Sequence, residues 1–157
     1  MTMNKTFAAL GLLVVAGCAS HKRIKTANDG RGDTRTIPVE YIDDNTYFLQ
    51  DISNDKTYGF EKSNPIKVGG INDGNGPRNQ RRFLNALLGP NGEEIKYFRS
   101  GSCCPFKTPN GFINDTGMLD RYRVYWSGVK DTLNIYINIY DKGDLKVPSG
   151  LSAKKKS

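Results

Sequence analysis

Between residues 133 and 140 the chain alternates without a break. Leu133, Ile135, Ile137 and Ile139 fall on one side, and Asn134, Tyr136, Asn138 and Tyr140 on the other. A period of two over that length predicts a strand with one face in a core. Residues 121–126 repeat the pattern, with Tyr122, Val124 and Trp126 set against Arg121, Arg123 and Tyr125. Gly128 to Asp131 supply turn residues between the two runs, so a hairpin is predicted. Shorter strand candidates lie at residues 39–42, 47–50, 66–68 and 95–98, and Asp43-Asp44-Asn45 predicts a second hairpin between the first two. A helical period governs residues 79–88. Phe83, Leu84, Leu87 and Leu88 share one side, Arg78, Gln80, Arg81 and Arg82 lie elsewhere, Pro77 suits the first turn, and Gly89-Pro90 stops the run. The pattern predicts an α+β domain over residues 37–150: an antiparallel sheet of about six strands with one main helix.

Outside that domain the pattern changes character. Lys5 is followed by about ten uncharged, mostly apolar residues from Phe7 to Ala16, and then by Gly17-Cys18. A basic start, a short apolar run and small residues at its end read as a secretory signal. The run is shorter than the roughly 20 residues a membrane-spanning helix needs. Val15-Ala16-Gly17-Cys18 resembles the bacterial lipobox, in which the cysteine is acylated and the chain is cut before it. Residues 1–17 are therefore expected to be a lipoprotein signal peptide, with Cys18 the lipidation site and the membrane a partner through that anchor. Ala19-Ser20-His21-Lys22 lacks the aspartate that retains lipoproteins at an inner membrane, which points to an outer membrane and its periplasmic face. Residues 18–36 hold one large apolar side chain, Ile24, and are expected to be a flexible tether. Residues 151–157 are expected to be a solvated basic tail.

Charge narrows the partners. The 157 residues carry a formal net charge of +7, but residues 36–150 hold 14 Lys/Arg and 14 Asp/Glu, so the surplus sits at the two ends. A fold that grips nucleic acid needs its cations on the folded face, so a nucleic-acid partner is not expected. The remaining partner classes are an envelope protein or a glycan. Length excludes the eightfold α/β barrel, which needs roughly 200 residues or more.

Cys103-Cys104 is the most unusual chemical feature. With Cys18 acylated these are the last two thiols, in an oxidising compartment. Adjacent Cα atoms lie about 3.8 Å apart, below the roughly 4.4–6.8 Å of relaxed disulfides, so a bridge there is strained. Three readings stand open: a vicinal bridge that stiffens its loop, a labile bridge with a redox role, or two separate thiols. Gly69, Gly70, Asp73, Gly74 and Gly76 precede the helix. They form a candidate anion or partner loop, with an ordinary flexible loop as the alternative. No metal site and no cofactor are expected, because the single histidine, His21, lies in the tether and zinc needs three or four convergent ligands. Tyr136, Asn138 and Tyr140 with Tyr122 and Tyr125 form a candidate aromatic face for a glycan or peptide, or a stripe packed beneath the helix.

Several segments taken together resemble a family of short bacterial lipoproteins of uncharacterised role. They are residues 64–70 (Asn-Pro-Ile-Lys-Val-Gly-Gly), 82–87 (Arg-Phe-Leu-Asn-Ala-Leu), 89–92 (Gly-Pro-Asn-Gly), Leu119-Asp120, 136–141 and, most specifically, the Gly-Ser-Cys-Cys-Pro-Phe-Lys-Thr-Pro-Asn-Gly run at 101–111. Some members carry the label 2-dehydro-3-deoxyphosphooctonate aldolase. The aldolase so named resembles a cytosolic eightfold barrel, and this chain is shorter than such a barrel. The resemblance implies a lipid-anchored envelope protein with a binding or structural accessory role, and it transfers no catalytic residue. The rival expectation is an envelope enzyme or thiol-redox factor centred on Cys103 and Cys104.

Overall fold

The computed structural model describes residues 32–156. Cys18, the signal segment and most of the expected tether lie outside the described residues. In chain order the elements are β1 (Glu40–Asp43), β2 (Thr46–Phe48), β3 (Ile66–Lys67), α1 (Gly76–Ala86), β4 (Leu87–Leu88), β5 (Lys96–Lys107), β6 (Thr116–Tyr125), β7 (Leu133–Asn138) and β8 (Ser152–Ala153). Among the described residues no helix is long and apolar enough to cross a membrane.

The two strongest alternations become neighbouring strands. β6 and β7 pair antiparallel, with Tyr122 opposite Ile135 and Val124 opposite Leu133. β5 pairs with the other side of β6 and forms one edge of the sheet, while the short β3 lies parallel to β7 at the opposite edge. The core-facing residues Tyr122, Val124, Ile135 and Ile137 meet Phe83, Leu84 and Ala86 of α1, and Tyr47 and Leu49 of the first hairpin join the same cluster. Burying each such aliphatic or aromatic side chain contributes about 1.5–3 kcal/mol, so this cluster is what holds helix to sheet.

Among the described residues the fold is thus α+β with one helix and mostly antiparallel strands, but the expected sheet of about six strands is not formed. The largest sheet has four strands in the order β3-β7-β6-β5, and β1-β2 and β4-β8 are separate two-stranded ribbons. Strands of two to four residues offer few ladder bonds, so their apolar side chains decide where they go. Tyr47 and Leu49 therefore pack with α1 rather than extending the sheet.

Three boundaries also need correction. The predicted helix runs to Leu88, but α1 ends at Ala86, because Leu87 turns extended (φ −82°, ψ 150°). Leu87 and Leu88 pair instead with Ala153 and Ser152, and Lys154 N–H donates to Ala86 O at 2.9 Å. Residues 151–156 are consequently not a solvated tail. Leu151 is buried, Lys154 pairs with Glu94 at 3.2 Å, and Lys156 pairs with Glu40 at 2.5 Å with its ammonium over the Phe48 ring. At the other end, residues 33–36 are tied to the turn after β7. Lys142 N–H donates to Asp33 Oδ1, Thr34 N–H to Lys142 O, Arg35 Nε to Gly143 O, and Thr36 to both oxygens of Asp144.

Candidate functional site

The alternation of β6 puts Asp120 on the same face as Tyr122 and Val124, the face that enters the core. A carboxylate there, 8% exposed, is costly unless its oxygens are bonded. Each is. Gln80 of α1, 1% exposed, donates Nε2–H to Asp120 Oδ2 at 2.5 Å and accepts the Tyr122 hydroxyl on Oε1 at 2.9 Å. From β5, Arg99 Nη2 at 2.6 Å and Ser102 Oγ at 2.9 Å donate to Asp120 Oδ1. The hydrogen bond to Asp120 holds the Arg99 guanidinium above its ordinary value. Burial, with Asp120 adding to it, pushes the Tyr122 phenol up.

Above this network lies a cleft of about 410 Å³ between the first turns of α1 and the β5–β6 hairpin. Met118, Ile139 and Tyr140 give it an apolar side, and Arg81 and Arg99 stand at its polar side with Ser102, Gln80 and Asp120. Two guanidiniums against one carboxylate leave the cleft electropositive. The chemistry suits a ligand with an acidic group and an apolar or ring-shaped body.

The cysteines adjoin this cleft through Ser102. Cys103 and Cys104 are bonded to each other, their Cα atoms 3.7 Å apart, and both are half-buried on the edge strand β5. Cys103 lies opposite Leu119, the register slips between Cys103 and Pro105, and Cys104 takes a left-handed backbone (φ 59°). A non-glycine residue in that region costs roughly 1–2 kcal/mol, so the bulge and the bridge constrain each other.

The other predicted residues are placed differently. Gly69, Gly70, Asp73 and Gly74 do form the loop before α1, and Gly76 is the first residue of the helix, where two backbone donors are already taken. Asn75 N–H goes to Asp73 Oδ1 and Gly76 N–H to Gly70 O, and Pro77 has none. Gly70 is required sterically, since a Cβ there would stand 2.8 Å from Gly76 N. Gly70 and Asp73 line a second, more polar cleft with Arg35, Arg82 and Lys142. The tyrosines do not share one face. Tyr122 lies under α1 with Ile135 opposite, Tyr136 is opposite Arg121 on the other surface of the sheet, and Tyr140 packs edge-on to Phe106 and Phe112. Among the described residues no cluster of three or more His, Cys, Asp or Glu is arranged to hold a metal.

A second buried carboxylate, Asp141, is 4% exposed. It accepts from Thr108 Oγ1 at 2.5 Å, Asn110 Nδ2 at 2.9 Å and Asn138 Nδ2 at 2.8 Å, which ties the β5–β6 turn to the end of β7. Gln80, Arg81, Arg99, Ser102 and Asp120 were not singled out as site residues by sequence reasoning. The signal for Asp120 was a charge at a core-facing register position. For Gln80 it was a polar residue one turn before Phe83 and Leu84. Comparisons with family models, curated proteins and solved structures find no match.

Proposed function

We propose that this chain is a lipid-anchored binding protein of a bacterial envelope, held by acyl groups on Cys18 at the periplasmic face of an outer membrane. Its ligand, part of an envelope protein or glycan that carries an acidic group, occupies the cleft between α1 and β5–β6. The cleft carries this reading: a concave site with an apolar side, two guanidiniums at its polar side and a fully bonded carboxylate beneath is built for recognition. The lipobox pattern and the resemblance to short lipoproteins support the address.

The test is photo-crosslinking in intact envelopes from a benzophenone side chain placed at Met118 in the cleft, with the same group at Tyr125 as the reference. A discrete adduct from position 118 that is lost when Arg81→Glu reverses the charge supports the reading. Equal or absent adducts at both positions overturn it. Acylation is checked separately by palmitate labelling, which Cys18→Ala should abolish.

A second reading, a thiol-redox role, is favoured by one observation: the Cys103–Cys104 bridge is half-exposed on an edge strand with Cys104 in the left-handed region. In exchange, an incoming thiolate attacks one sulfur, the other leaves as thiolate, and a second thiol completes reduction. Mass spectrometry of alkylated protein after mild glutathione treatment distinguishes the readings. Under the binding reading the bridge survives and Cys103→Ser with Cys104→Ser lowers the melting temperature. Under the redox reading both sulfurs become alkylated.

A further inference from the structure

The turn that joins β5 to β6 carries the two most exposed large apolar side chains among the described residues, Phe112 at 72% and Ile113 at 75%. They are held out rigidly. Asn114 and Asp115 both take left-handed backbones (φ 48° and 51°) between the bridged residues Ile113 and Thr116, the geometry of a tight hairpin turn. Below the tip, Thr108 N–H donates to Asp115 O, Thr108 and Asn110 donate to the buried Asp141, and the Phe112 ring meets the edge of Tyr140 at 6.2 Å. A domain gains nothing in water from presenting adjacent Phe and Ile on a braced tip, so the arrangement points to a surface that covers them.

The same carboxylate marks where the chain enters the domain. Gly32 packs so closely on Asp141 that a Cβ there would stand 2.5 Å from Oδ1, and Lys142 N–H donates to Asp33 Oδ1 at 2.7 Å. The hairpin tip and the start of the described chain therefore share one end of the molecule. From Ala19 to Arg31 the chain can span at most about 45 Å even when fully extended. β6, with ten residues at about 3.3 Å each, is roughly 33 Å long. The chain therefore enters the domain at the end that bears Phe112 and Ile113, while Trp126 follows the far end of β6.

We propose that Phe112 and Ile113 insert into the surface of the bilayer that holds the Cys18 acyl groups, as a second foothold that orients the domain. The inference rests on the lipid-anchor reading for the identity of that bilayer. The cation Lys107, whose ammonium donates to Asn114 O, is matched at the turn by Asp115, so the contact depends on apolar side chains and not on anionic headgroups. It should therefore resist added salt.

The test uses the mature full chain reconstituted in phosphatidylethanolamine–phosphatidylglycerol vesicles that contain brominated acyl chains. The protein has one tryptophan, Trp126, at the far end of β6, so the wild type is its own reference. Wild-type emission is expected to be unchanged by bromine, while F112W adds emission that shifts to the blue and is mostly quenched, at low and high salt alike. Ile113→Asp in the F112W chain should abolish that quenching. If F112W floats with the vesicles but its added emission is not quenched, the foothold is overturned and the anchor stands. If the chain carries no acyl group, the anchor reading fails. F112W quenching by vesicles would then still support the tip as a lipid contact, and its absence would overturn that too.

Discussion

Gln80 is a single side chain on which two buried polar groups depend. Its amide donates to Asp120 and accepts from Tyr122, and both partners are buried. Gln80→Leu keeps the volume but removes the partner of Asp120 Oδ2 and of the Tyr122 hydroxyl, so a loss of about 2–3 kcal/mol is expected in urea unfolding. Gln80→Glu should cost more at neutral pH, because it sets a second carboxylate against Asp120, and part of that cost should return as the medium is acidified. Asp144 gives a second, independent reading of pH. Burial raises its carboxyl, but N–H donors from Ile37 and Thr36, the Thr36 hydroxyl and the nearby Lys146 charge outweigh this and hold it below the usual value. A carboxyl depressed in the folded state contributes stability above its unfolded value of about 3.9, and that contribution disappears as pH falls through the folded value. Amide exchange at Thr36 and Ile37 should therefore accelerate, relative to the core strands, once the pH drops below about 3.9. At this scale the sequence was partly legible. Asp120, a charge in step with Tyr122 and Val124, carried a signal that the sequence reading did not use, whereas its partners Arg99 and Ser102 looked like ordinary surface residues of a strand.

The elements were legible where one period ran long. The β6 and β7 alternations predicted both strands and their hairpin, because a half-buried strand must repeat every two residues whatever covers it. The end of α1 was not legible. Leu87 and Leu88 continue the helical stripe of Phe83 and Leu84, and only the capture of their backbone by Ser152 and Ala153 draws them out of the helix. The C-terminal segment is therefore a structural element. Leu151→Ala should lower stability by about 2–4 kcal/mol, as expected for emptying a buried leucine site. Hydrogen exchange at Lys154, whose N–H is bonded to Ala86 O, should speed up in the same variant. A chain with an uncoupled tail would show neither effect.

At the scale of the molecule, three pieces are brought together with α1: the predicted β1–β2 ribbon, the β4–β8 ribbon that the sequence pattern assigned to helix and tail, and the edge strand that carries Cys103–Cys104 beyond its predicted end at residue 98. Local pattern determined the α+β class, the antiparallel hairpins, the core stripe of β7 and the proximity of two thiols that cannot avoid each other in sequence. These follow from periodicity and covalent adjacency, which any fold of this chain must respect. The sheet's strand order, the docking of residues 33–36 and 151–156, and the meeting of Gln80 with Asp120 across 40 positions were decided only by tertiary structure. Such contacts arise because buried polar atoms must find partners wherever the packed chain places them, and a linear pattern carries no record of that placement.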